Sequence, residues 1–294
     1  MITRRRVLRG LAATVLAGLL AATYGFFIEP ALRLRVRRWR LSPPGWTAGL
    51  LRIAVLADIH VGEPFVSQAR LRRIVTRTNA LGADLIVFVG DLEAGHPFLT
   101  KPVPLEAAAA EMARLTAPLG VFAVLGNHDW WHDRAAQAGA PGLPEAGRVL
   151  EAAGIPVLEN RALRLGTAAR AFWLAGLGDQ WAYSGPGGIQ GRDDLPGTLG
   201  QIDDTAPVVL LAHEPDIFVR VPDRVALTLA GHTHGGQVRL FGYSPMVPSR
   251  YGNRFAYGLV AEGARQMVVS GGIGCSIFPV RFGVVPEITL IDLS

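Results

Sequence analysis

Residues 85–91 read LIVFVGD, a run of five apolar residues that ends abruptly in Gly90 and Asp91. The apolar residues do not alternate with polar ones, which is typical of a short strand buried on both faces of a sheet. The same signature recurs, each time with polar residues directly after the run, at residues 52–57, 121–125, 172–177, 208–212 and 226–230. We therefore expect a sheet-based core in which polar side chains collect at the strand ends.

Helical patterns fit between the early strands. Residues 67–81 carry an apolar stripe at helical spacing, and residues 105–115 are rich in alanine. Residues 267–270 and 287–293 predict further strands with few helices between them. The alternation of strands and helices predicts an α/β domain, and the late strands predict a second sheet.

The positive charge of the chain is concentrated in its first 40 residues. They hold nine arginines and one glutamate, a net charge of +8, which leaves −3 for the rest of a chain whose total is +5. A mildly acidic body without a basic patch argues against nucleic acid as a partner, because the phosphate backbone requires one. A single cysteine, Cys275, excludes a disulfide scaffold and a thiolate zinc finger.

The N-terminal segment predicts membrane attachment. Residues 10–28 hold no charged residue, and about 20 apolar residues in a helix span the hydrocarbon core of a bilayer. Upstream, residues 3–9 resemble a twin-arginine signal, in which paired arginines precede an apolar run. We therefore divide the chain into a basic leader, a transmembrane anchor, a basic Pro/Gly linker and a body, at residues 1–9, 10–28, 29–49 and 50–294.

The anchor is expected to remain attached, because no Ala-x-Ala cleavage site follows the apolar run. Both flanks are rich in arginine, so the positive-inside rule does not decide the orientation. The twin-arginine resemblance places the body on the extracytoplasmic face of a bacterial cytoplasmic membrane, in a single-pass protein. In the alternative, the arginines bind anionic lipid head groups on the cytoplasmic face.

Polar residues at the predicted strand ends form a candidate metal site. They include five of the seven histidines in the chain. Mixed imidazole and oxygen ligands suit Mn, Fe or Zn better than Ca or Mg. Eight such groups exceed what one tetrahedral ion needs, and they predict two divalent metal ions that share a bridging carboxylate. The candidates are Asp58, His60, Asp91, Asn127, His128, His213, His232 and His234.

The order of these motifs resembles the calcineurin-like metallophosphoesterase superfamily. The matching blocks are Asp58-Ile59-His60, Gly90-Asp91, Gly126-Asn127-His128-Asp129, His213 and Gly231-His232-Thr233-His234. The glycine-rich residues 271–274 and the closing residues 281–287 resemble a membrane-anchored bacterial branch of the superfamily. The resemblance implies an α/β fold, a two-sheet α/β/β/α sandwich preceded by one transmembrane helix, with residues 50–294 as the catalytic domain.

The resemblance also implies a role for each motif residue. It gives two ligand sets that share Asp91 as the bridge: Asp58, His60, Asp91 and His234 for one ion, and Asp91, Asn127, His213 and His232 for the other. A hydroxide activated by the two ions is the implied nucleophile. His128 and Asp129 are the implied catalytic residues: His128 reaches the phosphate or the leaving group, and Asp129 orients His128 or raises its pKa.

These features predict a membrane-anchored dimetal phosphohydrolase that cleaves a phosphodiester, pyrophosphate or phosphomonoester bond. The anchor confines the site near a bilayer. We therefore expect the phosphate-ester substrate to be a lipid or a nucleotide-linked lipid. The alternatives are a non-catalytic metal-binding scaffold and a protein phosphatase. Ala94 stands where purple acid phosphatases of the superfamily carry a tyrosine, which argues against an Fe(III)–tyrosinate centre. The oligomeric state stays open.

Four aromatic residues lie beside the motifs. We expect His96 and His132 to be solvated in loops. Trp130 and Trp131 either stack on a base or hold an acyl chain of the substrate, or they pack against a neighbouring loop or dip into the membrane interface.

Overall fold

The computed structural model describes residues 3–167, 170–185 and 187–294. Its helices are α1 (Arg4–Thr23), α2 (Glu29–Leu32), α3 (Gln68–Asn79), α4 (Leu105–Met112), α5 (Asn127–Trp131), α6 (Arg134–Gln137), α7 (Glu145–Ala152) and α8 (Leu195–Leu199). Its strands are β1 (Arg35–Leu41), β2 (Leu51–Leu56), β3 (Gly62–Glu63), β4 (Leu85–Val89), β5 (Lys101–Pro102), β6 (Val121–Val124), β7 (Arg161–Leu165), β8 (Phe172–Gly176), β9 (Tyr183–Gly185), β10 (Gly188–Gln190), β11 (Val208–Leu211), β12 (Val225–Ala230), β13 (Gly258–Glu262), β14 (Arg265–Val269) and β15 (Glu287–Leu293). A π-helical turn covers Tyr24–Ile28, and 3₁₀ helices cover Pro215–Arg220, His234–Gly236 and Gly252–Phe255.

Two large sheets form the centre of the molecule. The first has the strand order β1-β15-β2-β4-β6, and the second has the order β13-β14-β12-β11-β8-β7. The central strands β2, β4 and β6 run parallel to one another, as do β8, β11, β12 and β14. Together with the helices, these two sheets confirm the predicted α/β sandwich.

The strands are buried on both faces, as their apolar runs predict. In β2, Ile53 and Val55 belong to a cluster between the sheets that also holds Leu174 of the second sheet. Ala54 and Leu56 belong to the cluster on the opposite face of the first sheet, which α3, α4 and α7 cover. The outer face of the second sheet is covered by α8 and by the 3₁₀ helices Pro215–Arg220 and Gly252–Phe255.

The two predicted helices are present but shorter than expected. The helix predicted at 67–81 is α3, whose N-terminus is capped because Ser67 Oγ accepts the N–H of Arg70 at 3.1 Å. Its predicted stripe faces the core, with Leu71, Ile74, Val75 and Thr78 buried. The helix predicted at 105–115 is α4, which ends at Met112.

The N-terminal segment forms one continuous helix of 29 residues, Arg4–Leu32, whose most apolar part has a mean hydropathy of 1.9. By length and composition this helix can cross a membrane. No residue of α1 is buried, whereas Gly25, Glu29 and Pro30 are buried at the junction with the body. The backbone N–H of Arg281 donates to the carbonyl of Gly25 at 2.9 Å, which joins the helix to the body.

The stretch predicted as a linker, residues 29–49, is only partly one. It contains α2 and β1, and β1 pairs in parallel with β15 at the edge of the first sheet. The first sheet therefore begins at Arg35, within the stretch predicted as a linker. Edge strands are stabilised by backbone hydrogen bonds and carry charged side chains, so β1, with four arginines, lacks the apolar run that marks the buried strands.

The carboxyl ends of β2, β4 and β6 meet those of β11 and β12 at one edge of the sandwich. The backbone N–H of His232, after β12, donates to Asp58 Oδ1, after β2, at 2.8 Å. Ligands of α/β sheets bind at this edge because loops from different strands converge there.

Candidate metal centre

A first group of buried ligand atoms comes from Asp58, His60, Asp91 and His234, and these atoms all lie within 4.8 Å of one another. The Nε2 atoms of His60 and His234 are 3.1 Å apart, and His60 Nε2 is 3.5 Å from Asp91 Oδ2. Ligand atoms that share one ion at about 2.0–2.2 Å are separated by roughly 3–3.5 Å. The spacing therefore fits a single bound ion.

A second group lies beside the same carboxylate. His213 Nε2 is 3.2 Å from Asp91 Oδ2, the oxygen that also faces His60. His232 Nδ1 lies 3.0 Å from Asn127 Oδ1. One carboxylate oxygen thus stands between two sets of ligand atoms, as a bridging ligand of two ions must.

Backbone carbonyls orient two of the imidazoles. The Nδ1 of His60 lies 2.8 Å from the carbonyl of Glu93, and the Nδ1 of His213 lies 2.7 Å from the carbonyl of Val89. A carbonyl only accepts, so each Nδ1 carries a hydrogen and donates it to its carbonyl, which directs each Nε2 into the site.

Several buried polar atoms of the site have no protein partner among the described residues. They are Asp58 Oδ2, His232 Nε2 and His128 Nδ1. A buried polar group without a hydrogen bond costs about 1–3 kcal/mol, so such atoms need a ligand or water. Imidazole nitrogens with carboxylate and amide oxygens suit Mn, Fe or Zn, and the residues present therefore fit a divalent metal site.

The protonation states of two ligands, Asp91 and His60, suit metal binding. Burial raises the pKa of Asp58 to about 7 and lowers the pKa of His60 to about 3. Burial opposes ionisation of Asp91 as well, but the charges of His213 and His128 hold the pKa of Asp91 well below its ordinary value. An ionised Asp91 and a neutral His60 are the forms that bind a metal.

The turns that carry the ligands have strained backbones. Nine non-glycine residues of the described chain have a positive φ, and five of them are predicted ligands: Asp58 (50°), His60 (45°), Asp91 (63°), His232 (68°) and His234 (51°). A left-handed conformation costs an L-residue roughly 1–2 kcal/mol. Such strain persists where the surroundings impose it and gathers at functional sites, which supports a functional reading of these turns.

Two glycines give the ligands room. A Cβ on Gly90 would lie 2.5 Å from Nδ1 of His213, and a Cβ on Gly126 would lie 2.6 Å from Nε2 of the same ring. Only glycine fits at these positions of the Gly-Asp and Gly-Asn-His-Asp motifs.

Arg281 is fully buried beneath the site, although the sequence marks it only as part of a closing motif. Its guanidinium donates to the carbonyls of Gly271 and Gly274, each at 2.8 Å, and to that of Val284 at 3.1 Å. Its Nη2 also lies 3.2 Å from Nδ1 of His234. The side chain thus ties the closing loop to a predicted metal ligand.

His128 lies at the mouth of the two ligand groups. Its ring centroid is 4.9 Å from that of His60, and its backbone N–H donates to Asp91 Oδ1 at 2.9 Å. Its Nε2 is 3.1 Å from Ser276 Oγ. Burial lowers the pKa of His128.

The expectation that Asp129 orients His128 differs from what the structure shows. Asp129 Oδ2 accepts the N–H groups of Asp91 and Gly126, both at 2.9 Å, and Oδ1 accepts that of Leu92 at 2.8 Å. Both carboxylate oxygens are occupied by the turn that carries Asp91. Asp129 therefore positions this turn, and the imidazole of His128 is held by other groups.

Trp181 and Ser276 border the site without any sequence signal of their own. The Trp181 ring stands 4.7 Å from that of His232, and its carbonyl accepts the indole N–H of Trp131 at 2.7 Å. Trp131 in turn lies 5.5 Å from the ring of His128.

The expectation that His96 and His132 are solvated is wrong for His96, which is buried with its ring 5.8 Å from Phe65. His132 is partly buried, with its ring 5.2 Å from that of His128. Trp130 is fully buried and packs against Tyr183, as its loop-packing alternative predicts.

A buried carboxyl pair lies behind His213. Asp179 Oδ1 accepts the N–H of Trp181 at 2.7 Å, and Glu214 Oε2 accepts that of Gln180 at 3.0 Å. Burial raises the pKa of both carboxyl groups. The sequence shows an aspartate at a strand end but not this pairing.

The family model described as calcineurin-like phosphoesterase matches residues 51–236, nearly two thirds of the chain. The phosphodiesterase YaeI of Escherichia coli is 30% identical over 100% of both chains. The uncharacterized metallophosphoesterase YkuE of Bacillus subtilis is 29% identical over 99% of this chain and 98% of its own. A transmembrane protein with metallophosphoesterase domain of Danio rerio is 32% identical over 83% of this chain and 53% of its own.

The matched region contains the buried ligand atoms of Asp58, His60, Asp91 and His234. The chain belongs to the calcineurin-like phosphoesterase family, and it is a metal-dependent phosphoester hydrolase.

Proposed function

We propose that this chain is a single-pass, membrane-anchored phosphohydrolase that binds two divalent metal ions and cleaves a phosphodiester bond. The observation that carries the proposal is the position of Asp91 Oδ2, within 3.5 Å of His60 Nε2 and 3.2 Å of His213 Nε2. Asp58 and His234 complete one ligand set, and Asn127 and His232 complete the other.

Bound divalent ions supply two things in such a site: they neutralise charge on the phosphoryl oxygens and they lower the pKa of water. The described residues fit Mn, Fe or Zn. Side chains of this chain would hold the ions, and the glycine turns keep the His213 ring clear of the neighbouring backbone.

His128 is proposed as the catalytic residue that donates a proton to the leaving oxygen. Its Nδ1 is buried without a protein partner, and Ser276 Oγ at 3.1 Å fixes the opposite edge of the ring. A donor must lie within hydrogen-bond reach of the atom that leaves, and His128 stands beside His60, one of the residues that would hold the ions. Asp129 is proposed as a positioning residue for the Asp91 turn.

The proposed domain order is a leader with twin arginines (1–9), an anchor (10–28) and a catalytic body that begins at β1. The exposed apolar helix supports the anchor. The arginine-rich leader supports export of the body to the extracytoplasmic face. The anchor favours an amphiphilic phosphate ester as substrate.

The test is hydrolysis of bis(4-nitrophenyl) phosphate and 4-nitrophenyl phosphate by the full chain in detergent, after removal of metal and after addition of Mn²⁺. We expect the diester to be hydrolysed only with metal. Asp91→Asn should abolish turnover with loss of metal, and His128→Asn should abolish turnover while metal stays bound. Asp204→Asn, a carboxylate paired with Arg164 away from the site, is the matched control. Turnover that survives both site variants would overturn the proposal.

A further inference from the structure

Three neighbouring loops expose large apolar side chains to solvent. Among the described residues beyond the N-terminal helix, eleven large apolar side chains are exposed, and six of them lie in the loops 96–99, 238–243 and 276–280. These six, here called the apolar rim, are Phe98, Leu240, Phe241, Tyr243, Ile277 and Phe278. Contiguous exposed apolar side chains mark interaction surfaces.

The rim is one surface, because its loops are tied together. The rings of Phe98 and Phe278 have centroids 6.0 Å apart. Gln237, at the base of the second loop, accepts the N–H of Ser276 at 2.8 Å and donates to the carbonyl of Phe278 at 3.0 Å. The N–H of Arg239 donates to the carbonyl of Phe282 at 2.8 Å.

The rim adjoins the end of the apolar N-terminal helix. A Cβ on Gly25 would lie 3.6 Å from the side chain of Val280, two residues after Phe278. Tyr24 packs edge-on against Phe282, with centroids 5.8 Å apart. A span of 19 residues, from 10 to 28, is about 28 Å long as a helix, close to the thickness of a hydrocarbon core. Gly25 and the rim beside it therefore lie at the level where this helix would leave the bilayer.

The backbone at the tips of the rim is strained. Phe241 has a φ of 51° and Ile277 has a φ of 59°. A positive φ is rare for a bulky residue and is an outlier for a β-branched one, and here it holds the side chains in water. Backbone strain that keeps apolar side chains exposed is expected where a surface contacts a partner.

The segment that follows the N-terminal helix in the chain is positively charged. The segment from Arg33 to Arg40 carries five arginines, and of these Arg35 is paired with Glu287. Arg33, Arg37, Arg38 and Arg40 are exposed. Basic residues beside a membrane span attract anionic lipid head groups.

The rim also adjoins the metal site. Ser276, which lies one residue before Ile277, contacts the proposed proton donor His128 at 3.1 Å. On the other side, Phe98 packs against His96, with centroids 6.2 Å apart. The mouth of the site thus opens beside the rim.

We propose that the apolar rim inserts into the surface of the bilayer that holds the anchor, so that the metal site faces the headgroup layer and acts on a phosphate ester carried by a membrane amphiphile. This inference rests on the proposed anchor and phosphohydrolase activity. A bilayer is the occupant because the rim adjoins the apolar helix and exposed arginines follow that helix along the chain. The inserted rim would fix the height of the metal site above the bilayer surface. The phosphate of a lipid could then reach the site while its acyl chains stay in the membrane.

Insertion is tested with spin labels on the full chain in nanodiscs of phosphatidylcholine and phosphatidylglycerol. In a Cys275→Ala background, labels are placed at Phe241→Cys and Phe278→Cys, with Leu259→Cys on β13 as the exposed apolar control. We expect the rim labels to be at least several-fold less accessible to a nickel chelate than the control, and more accessible to oxygen. Equal accessibility at the three positions would overturn the insertion.

The substrate class is tested with two diesters that share a leaving group, ethyl 4-nitrophenyl phosphate in water and octadecyl 4-nitrophenyl phosphate in the nanodisc. The double variant Phe241→Ser/Phe278→Ser should lose roughly 10-fold in turnover of the octadecyl ester, since each phenylalanine contributes through its buried apolar area. Turnover of the ethyl ester should be unchanged, and Leu259→Ser should change neither.

The outcomes separate this inference from the proposed function. If the wild type hydrolyses the ethyl ester and the rim variant keeps full turnover of the octadecyl ester, the inference fails and the phosphohydrolase activity stands. If the wild type hydrolyses neither ester, the proposed activity fails, and the label accessibilities still decide whether the rim inserts.

Discussion

Replacement of Asp129 by asparagine tests what this carboxylate does. It accepts four backbone N–H groups, from Asp91 and Gly126 on Oδ2 and from Leu92 and Glu93 on Oδ1. An asparagine amide presents one oxygen and one NH₂ group, so two of the four N–H groups would face a donor. If the oxygen keeps Asp91 and Gly126, the lost contacts are 2.8 Å and 3.4 Å long.

The expected loss is about 2–4 kcal/mol, because hydrogen bonds to a charged group contribute about 1.5–3 kcal/mol and the second contact is weak. Part of this loss lowers the free energy of unfolding, and part lowers the metal affinity because the Asp91 turn is held less firmly. If it falls wholly on the turn, it corresponds to a roughly 30- to 1000-fold weaker metal affinity.

The assay is Mn²⁺ affinity by equilibrium dialysis, together with thermal unfolding. Asp133→Asn is the matched control, since Asp133 also accepts backbone N–H groups, from Ala135, Ala136 and Glu145, but caps α6 away from the ligands. We expect the control to lower stability alone. If Asp129→Asn binds metal like the wild type and loses only turnover, Asp129 acts on His128 and the assignment made here is wrong.

Two further predictions follow from the packing and from a carboxylate that pairs with arginines. Gly126→Ala should lower metal affinity at least 10-fold, since its Cβ would lie 2.6 Å from the His213 ring; equilibrium dialysis measures this, and Gly185→Ala, with open space around its Cβ, should be neutral. Hydrogen bonds, first from Arg72, lower the pKa of Glu111 from 4.5 to about 2, so the stability that Glu111 contributes is complete above pH 4.5 and is lost as the pH falls toward 2. The unfolding free energies of wild type and Glu111→Gln should differ by about 1 kcal/mol at pH 6, because Arg72 is exposed, and should converge near pH 2; a difference independent of pH would contradict this.

The fold could be predicted wherever burial shapes the sequence. Strands such as β4, buried on both faces, have to be apolar throughout, and they have to end where polar ligands begin. The edge strand β1 is different, since its place depends on hydrogen bonds to β15 that any side chain permits. Its arginines therefore suggest a linker, and only the structure shows a strand.

The site could be predicted as a set of residues but not as a set of contacts. Asp58, His60 and Asp91 carry their chemistry in their residue types and their positions after strands. The role of Asp129 depends on where its two oxygens point, which a motif does not record. Ser276 and Trp181 reach the site from distant parts of the chain, and neither has a residue type that marks it.

We propose that two bound divalent ions share Asp91. The number of metal ions bound per chain is the sharpest test of this sharing. The full chain in detergent would be loaded with Mn²⁺, freed of excess metal and measured by elemental analysis, beside Asp91→Asn and Asp204→Asn. We expect about two ions per chain in the wild type and in Asp204→Asn, and fewer than one in Asp91→Asn. One ion or none in the wild type, or two ions retained in Asp91→Asn, would contradict it.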